Sequence, residues 1–73
     1  MINMKATGLN IRLIMDAKGV TVKDVQEYLH LESVQAIYKW LYGKSLPTVE
    51  NLYLLAQLLE ASMDELIVGD EKH

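Results

Sequence analysis

The sequence predicts an all-α domain of five short helices. Apolar residues recur at spacings of three and four, and no stretch alternates long enough for a strand. Cap and stop residues divide the chain at short intervals: Gly19 and Thr21, Ser33, Gly43 and Thr48, then Ser62. Half the residues are hydrophobic (51%), with four glycines and one proline, which fits a packed core rather than a disordered chain.

The first helix is expected over residues 8 to 18. Ile11, Ile14 and Met15 share one face, Leu9 and Leu13 another, and Gly19 supplies the stop. Thr21 is the N-cap of a second helix over residues 22 to 29. Asp24 lies in its first turn, where negative charge is favoured, and Val22, Val25 and Leu29 fall at helical spacing. Leu31, apolar within a polar turn, is expected to plug a gap between helices. Ser33 can cap a third helix over residues 34 to 42, ended by Gly43. Ile37 and Leu41 face inward, and Trp40 is expected half-buried under the loop to Pro47. Thr48 caps a fourth helix over residues 49 to 59, with Leu52, Leu55, Ala56 and Leu59 on one stripe. Ser62 and Glu65 fit a capping box opening a fifth helix over residues 63 to 67. The whole chain, residues 1 to 73, is expected to be one domain, with its core in 8 to 67 and a frayed tail from 68 to 73.

Several functions are unsupported by this composition. There is no cysteine, and the two histidines, His30 and His73, lie far apart, so no metal site and no cofactor is expected. No Ser–His–Asp or Cys–His set and no glycine-rich phosphate loop is present, so an enzyme is not expected. No apolar run approaches the roughly 20 residues of a membrane span, and MINMKATG lacks the apolar segment of a secretory signal, so the expected location is cytoplasmic.

The net charge is −3, but it is unevenly spread. Residues 1 to 47 carry Lys5, Arg12, Lys18, Lys23, Lys39 and Lys44 against four acids, a balance of +2. Residues 48 to 73 carry six acids against Lys72, a balance of −5. Such asymmetry suggests two different faces.

The second and third helices are separated by about three residues, His30 to Glu32. A connection that short makes the helices cross steeply, as in a helix-turn-helix. In that motif the second helix enters the major groove of DNA. The order of residues extends the pattern: T21-V-K-D-V25, L29-H-L31, S33-V-Q-A-I37-Y-K-W40-L-Y-G43-K-S-L-P47, N51-L52-x-x-L55-A56-x-x-L59 and S62-M-D-E-L66. Over roughly residues 8 to 67 the chain resembles the Cro/C1-type helix-turn-helix (xenobiotic-response-element) family of bacterial and phage regulators. The resemblance implies a compact lambda-repressor-like fold and a transcriptional regulator of double-stranded DNA, a repressor acting by operator occupancy. Three positions depart from the family pattern. Val22 stands where a polar residue is usual, Gln26 where alanine is usual, and His30 where glycine is usual, in a turn about one residue longer.

Given the resemblance, Ser33, Val34, Gln35, Ala36 and Tyr38 are the expected base-contact residues. A glutamine amide can pair bidentately with adenine, and small apolar groups can meet a thymine methyl. Lys23, Lys39, Tyr42, Lys44 and Ser45 are the expected phosphate contacts. Tyr53, Leu54 and Leu58 lie off the main stripe of the fourth helix and are the expected patch for a homodimer, which paired half-sites require. The alternative is a protein-interaction module, antitoxin-like, binding a protein partner with DNA contact weak or lost. The acidic balance and Val22 favour it. Steep salt dependence distinguishes DNA binding from an apolar contact.

Overall fold

The computed structural model describes residues 1–70. It consists of five helices around one hydrophobic cluster: α1 (Met4–Lys18), α2 (Val22–Leu29), α3 (Gln35–Leu41), α4 (Val49–Leu59) and α5 (Met63–Leu66). The cluster draws Ile11 and Met15 from α1, Val25 and Leu29 from α2, and Ile37, Trp40 and Leu41 from α3. Leu52, Leu55, Ala56, Leu59 and Leu66 complete it from α4 and α5. Helices α2 and α4 have the bounds expected from sequence, and the whole expected stripe of α4 is buried.

Helix α1 begins four residues earlier than expected. Asn3 is its N-cap, its side chain accepting from the Ala6 amide at 2.9 Å. Gly8, the expected start, is instead interior to the helix, where glycine costs about 1 kcal/mol against alanine. The fold requires it there. A Cβ on Gly8 would run into the Trp40 carbonyl oxygen and come within 2.6 Å of that of Leu41. The backbones of α1 and α3 therefore meet directly. Trp40 is buried rather than half-buried, because the tail of α3 is pressed against α1.

Helix α3 starts one residue later than expected and is capped by Val34, whose side chain makes no capping bond. Ser33 only reaches the Gln35 amide, at 3.4 Å. Four helices close in the same way. After each, the first residue beyond the helix or its cap turns left-handed and two backbone bonds tie the exit to the last turn. At α3 these run from Gly43 to Trp40 (3.1 Å) and from Lys44 to Lys39 (2.8 Å). Glycine provides the left-handed residue after α1 and α3. After α2 and α4 it is His30 (φ 58°) and Glu60 (φ 57°). Gln26 supports the α2 exit twice: its carbonyl accepts from Leu31, and its side-chain amide donates to the Leu31 carbonyl at 3.3 Å. Leu31 itself is half-buried against the core, as expected of a plug.

Helix α5 ends at Leu66, one residue short of expectation. Beyond it, residues 68–70 correct the expectation of a frayed tail. The Asn3 amide donates to the Val68 carbonyl (2.8 Å) and the Asp70 amide to that of Met1 (2.8 Å), bridging Ile2 and Gly69. Thr7, buried in α1, anchors the pairing. Its hydroxyl accepts from the Val68 amide at 2.9 Å and donates to the Val68 carbonyl at 3.3 Å. Asn10 donates to the Glu65 and Leu66 carbonyls, holding the end of α5. The remaining expected tail, 71–73, lies outside the described residues.

Two stability measurements check this account. Thr7→Val keeps the shape but leaves the Val68 amide without its partner and removes one of the two donors to the Val68 carbonyl. It should cost about 1–3 kcal/mol in urea unfolding, and a neutral result would show that the terminal pairing carries no stability. His30→Gly removes a side chain from a left-handed position and should stabilise by about 1 kcal/mol, raising Tm by roughly 4–8 °C for a domain of this size.

Candidate nucleic-acid interface

Helix α3 has seven residues, and an α-helix with its side chains is about 10–12 Å across, which a major groove about 12 Å wide admits. Its inward side is fixed by the burial of Ile37, Trp40 and Leu41. Helical geometry then sends Gln35, Tyr38, Lys39 and Tyr42 outward, at spacings of three and four. All four are exposed. Tyr38 and Tyr42 stack on each other, their ring centroids 6.0 Å apart and their planes 22° from parallel. Each ring limits the other's rotamers, so the pair is a partly ordered aromatic surface beside Gln35 and Lys39.

Among the expected base-contact residues, Gln35 and Tyr38 stand on this face and Ser33 is exposed at its start. Val34 is half-buried. Ala36 packs partly against the core cluster and contributes only an edge. Among the expected phosphate contacts, Lys23 is exposed in the first turn of α2. Lys44 is exposed, and Ser45 half-buried, in the loop after α3. Lys39 and Tyr42, toward the C-terminal end of α3, share the outward face with Gln35 and Tyr38.

The loop is held by the closure at Gly43. Its φ of 74° favours glycine, and a Cβ there would also come within 2.6 Å of the Lys5 Cα. The start of α1 therefore lies against the loop, and Lys5 joins Lys44 at this edge of the molecule. Sequence spacing could not have paired residues so far apart. Val22, where the family has a polar residue, is half-buried against the core and offers no polar group at that position.

The electrostatics of the surface follow from what is unpaired. Among the described residues the sole ion pair is Lys18 with Glu60, at 3.8 Å, away from α3. Lys5, Lys23, Lys39 and Lys44 thus remain available to an external anion, although the whole chain is acidic. No cluster of potential metal ligands occurs among the described residues. No helix among them is long and apolar enough to cross a membrane.

The expected dimer patch is only partly a surface. Leu54 and Leu58 are half-buried against the core, while Tyr53 is exposed and its hydroxyl accepts from Gln57. Val49, one turn before Tyr53, is the more exposed apolar neighbour.

No curated protein and no solved structure is significantly similar to the chain. The family model described as helix-turn-helix matches residues 11–66. That span runs from the buried face of α1 to the end of α5, with the α2–turn–α3 unit at its centre. With the capped α2, the left-handed turn at His30 and the outward face of α3 in place, the chain belongs to the Cro/C1-type helix-turn-helix (xenobiotic-response-element) family of DNA-binding regulators.

Proposed function

We propose that the protein is a repressor that occupies operator DNA with α3 in the major groove. The observation that carries this reading is the outward face of α3. It combines an amide able to read a base edge (Gln35), two stacked tyrosines and a lysine (Lys39) with no ion-pair partner among the described residues, on a helix whose other side is locked in the core. Lys23 at the head of α2 and Lys44 with Lys5 beside the loop supply cations on either side, suited to the two phosphate backbones that flank a groove. The protein contributes no chemistry of its own. Occupancy excludes other proteins from the site.

In this reading two copies bind together through the outward side of α4, where Val49 and Tyr53 are exposed. A two-fold pair presents two α3 helices to half-sites about one helical turn apart.

The test is a fluorescence-anisotropy titration of labelled duplex from the protein's own promoter region against a scrambled duplex, across a range of salt. Preferential binding to the promoter, with two chains per duplex and a steep salt slope, is expected. Equal, salt-insensitive binding or none at low salt would favour a protein-binding module instead. Gln35→Ala should reduce the preference for promoter over scramble by about 1–3 kcal/mol while leaving scramble binding nearly intact. Lys44→Ala should weaken both duplexes alike and make the log–log salt slope shallower by about one unit. An unchanged slope would show that Lys44 touches no phosphate.

A further inference from the structure

Helix α1 carries a second apolar stripe that the fold does not use. Its buried side is Thr7, Gly8, Ile11 and Met15. On the opposite side Leu9 and Leu13 are 57% and 58% exposed. With Ala6 they follow a spacing of three and four, which is the seam spacing of two packed helices. Beside this stripe lies an open groove of about 570 Å³ between α1 and the end of α3. Ala6, Leu9, Leu41 and Tyr42 form its apolar walls, and Lys5 and Arg12 line it. The two cations sit seven residues apart, each immediately before a seam position, and neither has an ion-pair partner among the described residues.

We propose that this groove is a docking site for an amphipathic helix of another protein, one whose apolar ridge is flanked by glutamate or aspartate. Charge selects that occupant. A helix laid along the stripe brings one of its flanks against Lys5 and Arg12, where acids are favoured and cations repelled. A second copy of α1 is a poor fit. Packed parallel, it offers Asn10 and Ala17 to the two cations. Packed antiparallel, it offers its own cationic row. The parallel arrangement also sets the two Asp16 carboxylates against each other at the next seam position. DNA needs the cations but has no use for the exposed leucines beside them.

The docking site stands independently of the repressor reading. One consequence rests on that reading. Lys5 and Tyr42 belong both to the groove and to the surface assigned to DNA in that reading, so a helix seated in the groove would weaken DNA binding. That contact would give the small domain a route for a regulatory signal.

The test uses the intact chain without DNA. A fluorescent synthetic peptide of about four helical turns carries leucine at the seam positions and glutamate on both flanks, and a matched peptide carries lysine on the flanks. The glutamate peptide should bind saturably and at least about tenfold more tightly than the lysine peptide. Arg12→Glu should remove or reverse that preference. Leu9→Glu should weaken binding about tenfold or more, with helix content by circular dichroism unchanged because both side chains are exposed. The proposal is overturned by no saturable binding, by equal binding of the two peptides, or by insensitivity to Leu9→Glu. It is also overturned if sedimentation shows a dimer that Leu13→Glu dissociates, which would assign the face to a second copy. Loss of DNA affinity in Arg12→Glu without any peptide binding would assign the cations to DNA and overturn it equally.

Discussion

The backbone contact between α1 and the end of α3 is the constraint on which the rest of this small structure depends. Two glycines permit it from opposite sides. Gly8 lets the middle of α1 approach the carbonyls of Trp40 and Leu41, and Gly43 lets the chain leave α3 against the first turn of α1. At such a distance a single methyl group has no room, so the contact fixes the position of α3 more tightly than side-chain packing alone could. The rotation of α3 about its own axis is then set by Ile37, Trp40 and Leu41 entering the core. What remains outward is Gln35, Tyr38, Lys39 and Tyr42. The surface proposed to meet DNA is thus a consequence of how the core closes.

A domain this small has little stability to spare, and its backbone bonding reflects that. Four of the five helices end in the same left-handed closure, two of them without glycine, and the termini are stitched together through Thr7 and the 1–3 with 68–70 pairing. These local bonds are each modest. They matter because the hydrophobic cluster draws on all five helices, so a loosened helix end would expose part of it. The non-glycine residue at His30 has a further role, since it stands in the turn between α2 and α3. The angle between those helices is set there by a left-handed histidine and by the two bonds from Gln26 to Leu31, so two departures from the family pattern act together.

Helices with a capping residue at one end and an apolar stripe of a single phase were legible in the sequence. Thr21 with Asp24 and Thr48 with the Leu52–Leu59 stripe define α2 and α4 to the residue, because both signals are local. What was illegible depends on contacts between distant segments. Gly8 reads as a boundary until the carbonyls of α3 are placed beside it, and Asn3 is then recognised as the cap. Val68 to Asp70 read as a polar tail because their partners are at the other end of the chain. Within the interface, Gln35 and Tyr38 could be placed from the spacing of Ile37 alone. The grouping of Lys39 and Tyr42 with them needed the helix ends, and the proximity of Lys5 to Lys44 needed the tertiary fold. The exposed Leu9 and Leu13 pair was visible as a second helical face, but only burial shows that no other part of the domain covers it.

The two exposed faces suggest a division of labour in which α3 and its flanking lysines meet a polyanion while α1 offers an apolar seam elsewhere, with Tyr42 between them. The central claim is that the side of α3 opposite the core is the DNA surface. It is tested most directly by following backbone amide shifts of isotopically labelled protein as promoter duplex is added at low salt. The account predicts that the largest changes fall on Gln35, Tyr38, Lys39, Tyr42 and Lys44, with a second group around Lys23. Changes confined to α4 and α5, or an α3 that does not respond while DNA binds, would contradict it.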